Sequence, residues 1–572
     1  MGIPSYYKKL IDTVPGLVVR SGANASAKAG ANASANASND IQWLFMDYNC
    51  LIYHCLHRKD TPIYTVENES WESQFLECIV KYTLKVIKKV APKTGVFIAI
   101  DGVVPMAKMR QQRLRRFKSI WMTQHPECDN DRGTTDVWDR NSITPGTLFM
   151  KKLRKRLETM VMHEGKKSWI LSSSDEPGEG EHKITAEWRT NKYTGNFAVY
   201  GLDADLIVLT ILGRELCHFD REKIWLFREE VNAGKISYDT LGEELFEWFS
   251  INVLSDWLSA EFTDTHLRRT FILNYCFAMS VLGNDFLPGS LGLKIREDGH
   301  SELLDIIRTL THNNTILVDP VSLQISHEGL KTLFTVLSVD EEARIQKYIH
   351  KKQMIARTTT GTTIGKAAGI AIGTTIGKVA GTTIGTTAGT TIKLGDNNWP
   401  LSHIEENVLI SGKHLLPNWK EKYLTHFFNG FTFNKGTINK ICNDYLYGIQ
   451  WIWAYYTGVY ENVCFNWFYT FNLPPLWIWL NCVTTLPAFP DKVRIKATDI
   501  HPVEQLVLVL PLESWHLIPP CLEKHLPILA PQFYPSTFSF ESVGKRYFWE
   551  CESMIPILSI LEVKKITRKN IS

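Results

Sequence analysis

The chain has 572 residues, enough for more than one hydrophobic core, and a net charge of only +3, so any affinity for nucleic acid must come from a local basic patch. Its eleven cysteines include no C-x-x-C pair, which argues against a disulfide framework or a zinc site. The start, MGIPSYYKKLIDTVPGL, lacks the apolar core of a signal peptide, Tyr6 stands where a myristoylation signal needs Ser or Thr, and no run long enough to span a bilayer occurs. We therefore expect a soluble intracellular protein with no membrane partner.

In chain order, Met1–Val19 reads as a short amphipathic helix stopped near Pro15. Residues 21–40, SGANASAKAGANASANASND, form an Ala/Asn/Ser repeat with almost nothing to bury, expected to be a disordered surface insertion. Four apolar stretches then each lead into carboxylates. Ile41–Met46 runs into Asp47, and Gly95–Ile100 into Asp101. Ser168–Leu171 leads to the loop SDEPGEGEHKI with Glu179 and Glu181, and Asn196–Leu202 to Asp203 and Asp205. Helical periodicity lies between them, over Trp71–Val90, Thr147–His163 and Lys183–Thr190. The alternation predicts an α/β fold with a mostly parallel, doubly wound sheet flanked by helices, in which ligands bind at the carboxyl ends of the strands. Every one of these acids falls there.

Thr270–Leu282 reads as a buried helix and ends in GNDFLPG, which supplies Asp285. Met354–Leu394 is a second low-complexity tract with a glycine at every fourth position from Gly361 to Gly389, a poor helix and an expected flexible insertion. Beyond it, Trp399–Ser572 is rich in aromatics: Trp451, Trp453, Tyr455, Tyr456, Trp467, Phe468 and Tyr469 fall close together. Such rings are expected to pack a second lobe onto the first, or in one or two cases to stack bases. The expected division is 1–310 as a catalytic region, 311–398 as a connecting segment containing the Thr/Gly tract at 357–395, and 399–572 as a second region that completes the site.

Seven acids, Asp47, Asp101, Glu179, Glu181, Asp203, Asp205 and Asp285, cannot converge without neutralisation, because like charges raise one another's pKa. Two Mg²⁺ or Mn²⁺ ions would solve this, and would clamp the attacking and leaving oxygens of a phosphoryl displacement. Glycines at 178 and 180 let the loop backbone turn tightly and approach a ligand. His182 and Lys183 read simply as the start of the next helix. In DGVVPMAKMRQQRLRRFKS, Lys108, Gln112, Arg115 and Arg116 share one face of a helix starting after Pro105, with Met106, Met109, Leu114 and Phe117 roughly opposite. That face suits a terminal phosphate.

With these segments assembled, the chain resembles the Xrn family of 5′→3′ exoribonucleases. The likeness rests on MGIPSYYKKL, MDYNCLIYHC, IDGVVPMAKMRQQRLRRF, ITPGTLFMKKL, SSDEPGEGEHKI, VYGLDADLIVL and SVLGNDFLPG. It continues through NWKEKYL, YGIQWIWAYYTGV, NWFYTFNLPPL, PVEQLVLVLP and APQFYPSTFSF. The resemblance implies a PIN or flap-nuclease-like core with a second, aromatic-rich lobe. It implies a monomeric enzyme that processively shortens single-stranded RNA bearing a 5′-monophosphate, releases nucleoside 5′-monophosphates, and acts in RNA decay, with the cytoplasm as the expected compartment. By position, the seven acids match the family's catalytic and metal-binding residues. Lys108, Gln112, Arg115 and Arg116 match its 5′-phosphate pocket, and Trp467 its base-stacking tryptophan.

Three positions depart from the family pattern. Tyr53, followed by His54, stands where the family's stacking histidine is expected; Gly289 replaces the histidine that usually follows GNDFLP, so an outer-shell contact is expected to be missing; and about two extra residues precede Trp467. The chain's compactness fits a minimal member of the kind a large DNA virus would encode. Two other readings compete. A 5′ flap endonuclease shares strand-end acids and the M-G-I start, but no helix-hairpin-helix pattern follows Asp285. A non-catalytic RNA-binding relic is disfavoured because all seven acids are present.

Overall fold

The computed structural model describes residues 5–21, 40–125, 138–164, 168–190, 192–232, 235–370, 401, 403–428, 430–458, 463–483, 485–487, 495–523 and 531–571. The first low-complexity repeat, apart from its ends, and the later part of the second therefore lie outside the described residues.

Seven strands form one sheet: β1 (Val18–Ser21), β2 (Ile41–Asp47), β3 (Gly95–Ala99), β4 (Trp169–Ser172), β5 (Asn196–Tyr200), β6 (Ile224–Glu229) and β7 (Phe246–Ser250). Their spatial order is β1-β7-β6-β5-β2-β3-β4. Every pair from β4 through β6 is parallel, while β7 runs antiparallel to β6 and β1 antiparallel to β7. The fold is thus α/β with a mostly parallel sheet, as expected. The four strands that end in acids occupy one contiguous half of it, in the order β5-β2-β3-β4.

Strand periodicity divides these continuous apolar runs between two cores. Leu44, Met46, Val96, Ile98, Ala198 and Tyr200 face one side. There they meet α2 (Asn49–Leu56), α3 (Trp71–Val90) and α5 (Leu148–Glu164), with Ile52, Phe75, Ile79 and Leu153 in contact. Phe45, Phe97, Ala99, Phe197 and Val199 face the other side. That core is closed by α6 (Gly180–Trp188), α7 (Asp205–Leu216), α8 (Thr265–Ala278) and the aromatic α10 (Lys435–Thr457). A third cluster packs α4 (Met106–Gln124) against α11 (Pro502–Val509) and α12 (Ile560–Ile571). The aromatic lobe is therefore continuous with the core of the sheet.

Two expectations are corrected. The helix expected over Met1–Val19 is α1, Tyr6–Thr13, and Val18 begins the edge strand β1: after Pro15, Gly16 takes φ +71, and Ser250 N–H then bonds to Leu17 O at 2.9 Å. The Thr/Gly tract was expected to be a poor helix from its start, yet α9 spans Glu341–Ile370. Its first half is held by buried Ile345, Tyr348, Ile349 and Lys352, the last bonded to Glu406 at 2.8 and 2.9 Å, so propagation from an anchored segment outweighs weak local propensity. Among the described residues, no helix is long and apolar enough to cross a membrane.

Candidate active site

The carboxylates converge where α6 and α7 begin. Asp47 is the last residue of β2, and Asp101 follows β3 by two positions. Gly180 N–H, at the start of α6, donates to Asp101 Oδ1 at 2.7 Å, placing a helix N-terminus against an anion. A Cβ on Gly180 would lie 2.5 Å from Asp47 Oδ1 and 2.8 Å from Ala99 O, so only glycine permits this approach. Gly178 has φ +110, a conformation that L side chains rarely adopt. Asn49 completes the hold on Asp101, its Nδ2 donating to Oδ2 at 3.0 Å.

Glu179 and Glu181 are both buried, and with His182 they present ligand atoms all within 4.8 Å of one another. Asp203 and Asp205 enter from β5, and Asp203 lies near enough to act electrostatically on Asp47, Asp101 and Asp205. Burial, and then the neighbouring acids, push Asp47 and Glu181 well above the ordinary carboxylate range; Asp205 is pushed up to about 7 in the same way.

Lys108 enters this cluster. Its Nζ lies 2.5 Å from Glu179 Oε2 and 2.9 Å from Asp285 Oδ2, tying the distant Asp285 to the loop acids. Burial alone would raise Asp285, but the cations around it, Lys108 foremost and Arg115 with it, together hold that carboxyl below its usual range.

The other three residues of the expected phosphate face lie further along α4. Gln112 is buried, and its carbonyl accepts from Gln505 Nε2 at 3.3 Å. Arg116 is buried with Nη1 unpartnered among the described residues, and Tyr53 acts on its charge. Arg115 is exposed and acts electrostatically on Asp285. The remaining basic residues of this segment do structural work: buried Arg113 donates to the carbonyls of Leu508 at 2.8 Å, Pro556 at 3.3 Å and Phe533, and Lys118 to those of Cys551 at 3.0 Å and Phe548. The face opposite Lys108 is accordingly not only apolar.

Trp467 is half-buried, 5.1 Å from Trp451 between ring centroids, and rests against Gly448, where a Cβ would lie 2.8 Å from its ring. Tyr53 is also half-buried, whereas His54 turns inward to Glu244 Oε1 at 3.1 Å. At Gly289 a Cβ would lie 2.3 Å from Leu282 O, so this backbone has no room for a larger residue.

Sequence reasoning missed three contributors. Tyr455 donates to Glu179 Oε1 at 2.9 Å; the His182 ring lies 3.8 Å from that of Tyr455; and Lys183 donates to Ile100 O at 2.7 Å and Ser173 O at 2.8 Å, clamping two strand ends. His182 and Lys183 do lie in the first turn of α6, as read, but only tertiary packing reveals these roles.

The donor set fits divalent cations. It is all hard oxygen apart from one imidazole, and two of its buried atoms, Asp205 Oδ1 and His182 Nε2, have no hydrogen-bond partner among the described residues. Residues 1–229 match the family model of the XRN 5′-3′ exonuclease N-terminus, and residues 413–568 match that of the Xrn1 helical domain. The chain belongs to the Xrn family. Its family relatives include 5′-3′ exoribonuclease 2 of Arabidopsis thaliana, 26% identical over 98% of this chain and 66% of the relative. Human 5′-3′ exoribonuclease 1 is 26% identical over 98% of this chain and 33% of the relative. The Kluyveromyces lactis 5′-3′ exoribonuclease 2 is 30% identical over 62% and 42%. The chain thus spans between 33% and 66% of the length of these relatives. Asp285 falls between the two matched stretches, and its bond to Lys108 is what attaches it to the other acids.

Proposed function

We propose that this chain is a 5′→3′ exoribonuclease that processively removes nucleoside 5′-monophosphates from single-stranded RNA bearing a 5′-monophosphate, and so acts in RNA decay. The observation that carries the reading is the course of α4. This one helix delivers Lys108 into the carboxylate cluster and, one to two turns later, presents Gln112 and the partly unpaired Arg116. At a rise of about 1.5 Å per residue, four to eight residues separate the two by roughly 6–12 Å, the scale of a single nucleotide. A terminal phosphate held at that distance from the acids would set cleavage one nucleotide from the end.

The seven acids would hold two Mg²⁺ or Mn²⁺ ions, which when bound supply a Lewis acid and an activated water for phosphodiester hydrolysis. The protein's own groups do the rest. Lys108 and Tyr455 orient Glu179, Arg115 and Arg116 neutralise the phosphate, and Gln112 adds a directional donor. Tyr53 and Trp467 would stack the terminal base, at roughly 1–3 kcal/mol per base. In the same reading residues 1–310 carry the acids, while 399–572 contribute Tyr455 and Trp467.

Incubation with 5′-monophosphate RNA, 5′-triphosphate RNA and a DNA flap tests the proposal. Stepwise release of mononucleotides from the monophosphate RNA alone is expected. Equal rates on the two RNA ends would remove the phosphate pocket, and cleavage confined to the flap would favour the endonuclease reading.

A further inference from the structure

A cavity of about 480 Å³ adjoins the acid cluster on the next face of α4, within the usual size range of small-molecule sites. Asp285 and Arg115 both line it, so it meets both the acids and the phosphate face. It is also lined by Lys294, Lys545, Phe286 and Trp549.

Its charge is incompletely neutralised. Arg115 has no ion pair among the described residues. Among the described residues, Lys294 reaches only Gly289 O, at 3.5 Å, and Lys545 pairs only with Glu552, at 3.9 Å. The wall carboxylates Glu297 and Glu550 are engaged by Arg546 and Arg296. Two buried polar atoms on the wall, Tyr348 Oη and Gln111 Oε1, lack partners among the described residues, and Tyr348 is only 6% exposed. Burial, with Lys545 acting in the same direction, pushes the Lys294 amine down to about 7, which a bound anion would reverse.

We propose that this cavity receives the nucleoside 5′-monophosphate released by cleavage, with its phosphate passing from Arg115 to Lys294 and Lys545 and its base against the aromatic wall. The inference rests on the exonuclease reading.

Calorimetric titration of the full-length chain with adenosine 5′-monophosphate, inorganic phosphate and adenosine, without RNA, tests the site. The nucleotide should bind more tightly than either fragment, and its affinity should fall at least tenfold in Lys294→Met and in Lys545→Ala. The second variant alters a partly exposed side chain and guards against misfolding of the first. Inhibition of RNA decay by added nucleotide should require correspondingly more of it in both variants. Unchanged nucleotide affinity in both variants, or phosphate binding as tight as the nucleotide, overturns the proposal. Absence of RNA cleavage in the unaltered chain would instead overturn the exonuclease reading and with it the cavity's role as a product site, while the titration still reports whether a nucleotide binds there.

Discussion

Tyr455 donates its hydroxyl to Glu179 Oε1 at 2.9 Å, joining residues 276 positions apart and making the aromatic lobe part of the acid site. Glu179 otherwise meets Lys108, so its two oxygens are held by one group from each region. A hydrogen bond to a charged group contributes about 1.5–3 kcal/mol. Tyr455→Phe keeps the ring packed on His182 and removes only that bond. The turnover rate on 5′-monophosphate RNA should fall by roughly 10–100-fold, with a melting temperature lowered by only a few degrees.

Lys108 separates electrostatics from phosphate binding. Lys108→Met leaves Glu179 and Asp285 buried without their cation, and breaking a buried pair costs about 3–5 kcal/mol. Asp285 has a depressed pKa when folded, so its contribution is present above the unfolded carboxylate pKa and is lost as pH falls through the folded value. Denaturant unfolding should therefore show a large deficit for the variant near neutral pH that shrinks as the medium is acidified. A deficit independent of pH would mean that Lys108 acts through packing alone.

The strand-end acids were legible because parallel strands buried on both faces read as unbroken apolar runs, and the first polar residue after each run marks the sheet's carboxyl edge. The glycines of the loop at Glu179 were legible for a similar local reason. The fates of the cations on α4 were not. Periodicity places Lys108, Gln112, Arg115 and Arg116 near one another, but says nothing of Arg113, which is buried against carbonyls supplied by the far end of the chain. Tyr455 and His182 were hidden for the same reason, since an aromatic destined for the core and one that reaches a carboxylate look alike until the lobes meet. The edge strand Val18–Ser21 was missed because it follows the amphipathic pattern of α1 with only Pro15 and Gly16 between.

Arg113 and Arg116, three residues apart, should fail differently. Arg113→Met leaves the carbonyls of Leu508, Phe533 and Pro556 without their buried donor, at about 1–3 kcal/mol for each unsatisfied group. It should lower thermal stability markedly and alter discrimination between RNA ends little. Arg116→Gln should do the reverse, raising KM for 5′-monophosphate RNA with little change in melting temperature. Thermal unfolding of both variants, alongside kinetics on monophosphate and triphosphate RNA, separates the two.

Divalent-ion binding should be tied to protons. Burial and neighbouring acids put Asp205 up to about 7 and Asp47 and Glu181 well above their ordinary values, so the metal-free folded chain holds protons there that the unfolded chain has released. Because those folded pKa values are raised, the stability of the metal-free protein falls as pH rises from the ordinary carboxylate range to about 7. A cation must displace the same protons, so its affinity rises over that interval. Bound at a hundredfold excess over Kd, a ligand adds about 2.7 kcal/mol. The melting-temperature gain from Mg²⁺ over chelator should accordingly be small near pH 6 and larger near pH 8, with proton release on binding seen by calorimetry in buffers of different ionisation enthalpy. The Asp203→Ala, Asp205→Ala double variant should lose most of that gain, and a gain that survived it unchanged would place the ions elsewhere.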